Sequence, residues 1–207
     1  YKATLQNTAI PTKKGLLFSE GQFAEIKEAS AKNLPFRAFS VEAWIKPSIC
    51  AKGGILSAYD AEKQQGWALY LDSDRHAYFH AAIGPKRKGL VRTSKKLSMQ
   101  TWHHLMANFT GKRLDLYLNG KRQESIDFEE AMSYSKETKL LLGAMDELNA
   151  KDKSIVKRSF QGEISQLKFS AKTYKGKSVR SKHKSSKKSF ASDSRGKLPK
   201  YTEPEFA

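Results

Sequence analysis

Four groups of side chains in this sequence have types and spacings that could do chemistry. Asp72-Ser-Asp74 and Asp127-Phe-Glu129 alternate as acids on one face of a strand do, and a nucleophile with an acid/base partner needs two carboxyls about 5 Å apart. Both pairs sit at turn-like ends, where solvated acids are ordinary. His103 and His104 suggest a metal ligand or a general base. Neighbours on a regular strand point to opposite faces, so the two cannot hold one ion. Cys50 is the only cysteine and has no Cys-His-Asn context; it reads as a partly buried loop thiol. The fourth group is aromatic and polar: Tyr70, Tyr78, His80, Arg92, His104 and Tyr117 fall on the outward phase of their strands if Leu69, Leu71, Phe79, Leu105, Leu114 and Leu116 are core. Flat rings flanked by fixed donors and acceptors suit the apolar face of a sugar. The competing reading is that about half of these residues decorate the opposite surface.

Charge adds a second theme. Of the 38 Lys and Arg, eleven lie between Lys172 and Lys200 against one acid, Asp193, and six lie between Gly84 and Lys96 against none. The net charge of +17 therefore belongs to a near-neutral body with one basic loop and one basic tail. In the loop Pro85-Lys86-Arg87-Lys88-Gly89, with Arg92, Lys95 and Lys96 close behind, Arg can chelate sulfate or carboxylate while Lys adds a point charge. An anionic polysaccharide, sulfated or uronic, is the ligand this loop implies; a solvated hairpin tip is the alternative. The Lys/Ser-rich tail lacks the interleaved aromatics of a single-strand binder, so nucleic acid is not the expected partner.

These side chains need a frame. Strand-like segments recur at 16–19, 23–27, 39–47, 54–59, 67–72, 77–83, 90–94, 102–110, 113–119, 121–126, 139–144 and 160–170, separated by turn signals. Such a series is the pattern of a sandwich or barrel. Phe39, Val41, Ala43 and Ile45 alternate with polar or outward residues, as do Leu114, Leu116 and Leu118. Asn119-Gly120 predicts a two-residue hairpin turn, because both residues tolerate positive φ. The only helical candidates are short, around 128–135 and 148–152. The segmentation is a polar lead-in over 1–15, one sandwich over 16–176, and a basic linker, or an extension lying on the domain, over 177–207. A chain of 207 residues suffices for one such core, and no apolar run approaches the roughly 18 residues of a membrane span. Beginning at Tyr1 without an apolar leader, the chain reads as a trimmed piece of a longer protein. With one cysteine it forms no internal disulfide, which fits a cytosolic or a bacterial exported protein.

Six segments in order, Phe39-Ser-Val-Glu-Ala-Trp-Ile-Lys-Pro47, Gly54-Ile-Leu-Ser57, Gly66-Trp-Ala-Leu-Tyr-Leu-Asp72, Trp102-His-His-Leu-Met-Ala107, Leu114-Asp-Leu-Tyr-Leu-Asn-Gly-Lys121 and Phe160-Gln-Gly-Glu-Ile-Ser165, resemble the bacterial laminin G-like branch of the concanavalin A-like lectin/glucanase superfamily. The resemblance implies an all-β, antiparallel two-sheet jelly roll with one concave face. Such domains are often appended to secreted, periplasmic or cell-surface proteins, so other domains of the same polypeptide are expected as partners. It also implies packing roles for Trp67 and the His pair. Related glucanases carry Glu-x-Asp-x-x-Glu along one strand, and no such run occurs here, so a non-catalytic carbohydrate-binding module is expected; the alternative is a protein-interaction or structural module without a glycan site. Where the family's last strand usually offers Gly-x-Ile-Asp-Glu-Val, this chain has Gly162-Glu-Ile-Ser-Gln-Leu167, and its early turn is Ser19-Glu-Gly-Gln22. Calcium takes six to eight oxygens, several of them from carboxylates. No cofactor is expected, with a structural calcium ion held partly by carbonyls left as an alternative.

Overall fold

A computed structural model of the chain describes residues 4–6, 9–27 and 29–192. In chain order its elements are β1 (Thr4–Gln6), β2 (Ile10–Pro11), β3 (Leu16–Phe18), β4 (Phe23–Glu25), β5 (Phe39–Pro47), β6 (Gly53–Asp60), β7 (Gln65–Leu71), β8 (Ala77–Ile83), β9 (Lys88–Arg92), β10 (His103–Phe109), β11 (Arg113–Leu118), β12 (Lys121–Asp127), β13 (Leu140–Leu142), β14 (Ala144–Leu148), β15 (Ile155–Ser159), β16 (Gly162–Ser170) and α1 (Gly176–Ser192). They make a two-sheet antiparallel sandwich. The nine-stranded sheet runs β1-β4-β13-β6-β7-β8-β9, with the β14–β15 hairpin attached at its side; the seven-stranded sheet runs β12-β11-β10-β5-β16-β3-β2. The only parallel pairing among the described residues is the bridge of Ser159 to Gly54.

Alternation decides which side of each strand is core. On β7 and β8, Trp67, Leu69, Leu71, Ala77, Phe79 and Ala81 point inward and are fully buried or nearly so. On β5 and β10 the inward set is Phe39, Val41, Ala43, Ile45, Leu105, Ala107 and Phe109. Phe39 sits at the centre, its ring 5.0 Å from Trp67 and 5.5 Å from Phe109. The Trp67 indole donates to the Tyr134 hydroxyl at 3.2 Å, and Tyr134 donates in turn to the Pro35 carbonyl at 2.9 Å.

The β11–β12 hairpin turns at Asn119 and Gly120, both with positive φ, as the sequence requires. Gly120 has a second reason: a Cβ there would meet the His183 side chain at 3.1 Å. That histidine lies on α1, which packs on the outer face of the seven-stranded sheet through Val179, Lys182, His183 and Ser186, an i, i+3, i+4, i+7 stripe. Neither helical expectation matches what forms. Residues 128–135 are irregular because their backbone bonds to other segments, Phe128 N to Lys112 O and Met132 N to Phe36 O, while both side chains plug the core. Residues 149–152 form the turn of the β14–β15 hairpin, closed by Asn149 N to Ser154 O. Residues 193–207 of the basic extension lie outside the described residues.

Candidate functional site

The strand register of the nine-stranded sheet brings the sequence-derived aromatics together. Tyr70 pairs with Tyr78 and Tyr78 with Arg92, forming one row across β7, β8 and β9; Ala68, His80 and Leu90 form the next. All point away from the core, so they share one outer face. Tyr70 and Tyr78 stack with centroids 5.3 Å apart, and the Lys52 ammonium lies 5.6 Å over Tyr70. The Tyr70 ring is thus 8% exposed, a floor more than a platform. Beside it opens a cleft of about 370 Å³ lined by Tyr59, His80, Leu90 and Gln64, with Lys52 and Glu147 at one side. Tyr59 and His80 meet edge to face at 5.1 Å, and Leu90 is 46% exposed. The Gln64 Oε1 atom is buried and accepts no hydrogen bond among the described residues.

Fixed charges frame the cleft. Glu147 receives Lys52 Nζ and, at 2.7 Å, Arg158 Nε, and Asp146 receives Lys157 Nζ at 2.5 Å. Burial raises the Glu147 carboxyl, but these two cations outweigh it and hold it below its usual value. Tyr78 donates to Asp74 at 2.6 Å. His80 is pushed down to about 4, first by burial and then by the Lys88 and Lys52 charges, so at neutral pH it offers an uncharged donor and acceptor. Because the folded value lies below the ordinary 6.5, the unfolded chain binds more protons between the two. The stability His80 contributes is complete above about pH 6.5 and is lost as pH falls towards 4, roughly 3 kcal/mol in all. His80→Gln is expected to flatten that part of the pH profile in urea denaturation; equal slopes in variant and wild type contradict it.

The remaining candidates disperse. Lys88 shares the outer face at the edge strand, whereas Lys86 and Arg87 occupy the β8–β9 turn, where Arg87 reaches Glu130 at 3.7 Å and lies 5.6 Å over Phe128. His104 and Tyr117 belong to the other sheet, on β10 and β11. There they point outward, as their phase demands, but α1 covers them: His104 is fully buried against Trp44 and His183, and Tyr117 is 4% exposed beside Val179. The six aromatic and polar residues read as one set therefore split four and two between opposite faces. His104 Nε2 donates to Glu42 at 3.1 Å and His103 Nε2 to the Ser98 carbonyl at 2.9 Å, on opposite sides of β10. Cys50 is an exposed free thiol. The described residues hold no cluster of three or more His, Cys, Asp or Glu arranged to bind a metal.

Sequence reasoning missed Tyr59, Lys52, Gln64 and the β14–β15 carboxylates. Tyr59 lies on the outward phase of β6, after Ser57, and that alternation was a usable signal. Gln64 was not legible, since its place follows from a positive φ of 54° in the β6–β7 turn.

A family model of the concanavalin A-like lectin/glucanases superfamily matches residues 19–180. No curated protein matches the chain. Among solved structures, domain 4 of the extracellular arabinanase AbnA from Geobacillus stearothermophilus, in complex with arabinotriose, is similar with a TM-score of 0.60 at 17% identity, over 87% of this chain and 81% of that one. The receptor binding domain of botulinum neurotoxin D gives 0.63 at 14% identity over 89% of this chain, and the binding domain of Paraclostridial Mosquitocidal Protein 1 gives 0.65 at 14% identity over 89%. The chain spans about half the length of those two toxin domains, 48% and 47%. At these identities the likeness is one of fold.

Proposed function

Since the chain belongs to the concanavalin A-like lectin/glucanases superfamily, we propose that it is a non-catalytic carbohydrate-binding module and that the cleft on the outer face of the nine-stranded sheet takes the sugar. The observation that carries this reading is the pairing of apolar and polar surfaces in one small cleft. Tyr59, His80 and Leu90 offer flat or apolar contact to a ring face, while the buried Gln64 Oε1 lacks the donor that a hydroxyl would supply. Lys52, Lys88 and Arg92 on the same face favour a glycan with acidic substituents. The similar arabinanase domain, solved with arabinotriose, adds support from fold alone. We infer a secreted, periplasmic or surface setting, with the module attached to further domains.

A glycan array probed at two salt concentrations tests this. Binding to a restricted glycan set, weaker at high salt for acidic members, is the expected result. No glycan signal at either concentration overturns the reading and moves the chain to the protein-interaction class.

A further inference from the structure

On the opposite sheet a larger groove, about 1000 Å³, runs between the β11–β12 hairpin and the start of α1. We propose that this groove is a second glycan site, specific for a polysaccharide whose acidic groups are spaced along the chain. It rests on the preceding reading only for the class of ligand, since its residues share nothing with the cleft.

The groove is lined by six cations, Lys112, Arg113, Lys121, Arg122, Lys175 and Arg180, against three acids. Arg113 is the one engaged, its Nε 3.1 Å from Asp115, which is 2% exposed and also accepts from Ser125. The other five make no ion pair among the described residues. Arg can grip sulfate or carboxylate through two parallel N–H groups, and Lys adds an undirected charge. The walls are fixed before a ligand arrives. Asn108 donates to the Tyr174 carbonyl at 2.9 Å and accepts from its amide at 3.4 Å, so residues 173–176 are pinned to β10. Tyr117, packed with Met106 and Val179, forms the floor.

Two of the three acids choose between polyanions. Asp127 and Glu129 stand among the cations, where the phosphodiester backbone of DNA brings negative charge but no hydroxyl to donate to them. A polysaccharide presents hydroxyls between its acidic groups, and hydroxyls donate to carboxylates. The mixed lining therefore suits an acidic glycan better than a nucleic acid.

Titration of the full chain with a sulfated carrageenan oligosaccharide, an oligogalacturonate and an unsulfated agaro-oligosaccharide tests the proposal. Lys121→Ala/Arg122→Ala/Arg180→Ala changes only exposed side chains, so folding is retained. The triple variant is expected to bind the acidic probes about tenfold or more weakly and with a shallower salt dependence. Tyr59→Ala/His80→Ala in the cleft should leave that groove-dependent component unchanged. Equal binding by the triple variant and wild type overturns the proposal, as does failure of wild type to bind both acidic probes. Single-stranded DNA bound as tightly as those probes, with the same loss in the triple variant, overturns the glycan class. A neutral-glycan signal lost only in the cleft variant bears on the cleft alone.

Discussion

Replacing Trp67 with Ala is expected to lower the unfolding free energy by about 3–5 kcal/mol. The indole is fully buried and touches two rings of the facing sheet, Phe39 at 5.0 Å and Phe169 at 5.3 Å, and Phe79 of its own sheet at 6.4 Å. Its removal leaves a cavity that strands fixed by ladders on either side cannot close. It also takes a donor from the Tyr134 hydroxyl, although Tyr134 keeps its own bond to Pro35. Trp67→Phe retains most of the ring contacts and should cost less than half as much. Urea denaturation of the three proteins measures this; a loss under about 1 kcal/mol for Trp67→Ala contradicts the packing described here.

Glu42→Ala is expected to cost about 2–4 kcal/mol and to loosen α1. The carboxylate is buried on the outer face of β5, accepting from His104 Nε2 at 3.1 Å and from Lys182 Nζ at 3.2 Å. Burial alone raises its pKa, yet the His104 hydrogen bond and the Lys182, His104 and Lys168 charges bring it down to about 2. Because the folded value is depressed, this stabilisation is present above the ordinary carboxyl range and disappears as pH falls towards 2. Removing the carboxylate strands an inward-facing ammonium and a buried imidazole N–H. Lys182 retains some solvent, its side chain being 29% exposed, so the cost sits below that of a sealed pair. His183 stacks on Trp44 at 5.5 Å, so release of α1 should alter Trp fluorescence along with stability. Glu42→Gln keeps an acceptor for His104 and should cost less. Unchanged fluorescence in Glu42→Ala contradicts the role given to this carboxylate in docking the helix.

Much of the sandwich was legible because burial and strand period coincide. Phe39, Val41, Ala43 and Ile45 keep the inward phase of β5 throughout, and Asn119-Gly120 marks its turn by conformational demand. The helix was not legible because its contact face is Val179, Lys182, His183 and Ser186. Only one of those is aliphatic, so apolar periodicity is silent, and the helix is held by an ion pair, a ring stack and a hydroxyl. The β14–β15 hairpin escaped for a similar reason: charged pairs tie it, Asp146–Lys157 directly across the ladder and Glu147–Arg158 on the diagonal. At the cleft, strand phase placed Tyr70, Tyr78, His80 and Arg92 on an outward face, but phase cannot say which sheet a strand joins. His104 and Tyr117 carry the same outward signal and lie on the far sheet under α1.

The central claim is that the cleft beside Tyr59 and His80 holds sugar. Titration of a glycan selected from the array into wild type and Tyr59→Ala/His80→Ala, followed by amide chemical shifts, tests it most directly. The account predicts shifts concentrated on Tyr59, Gln64, His80 and Leu90, and a loss of affinity of about tenfold or more in the double variant. Shifts elsewhere with undiminished affinity in a folded double variant contradict it.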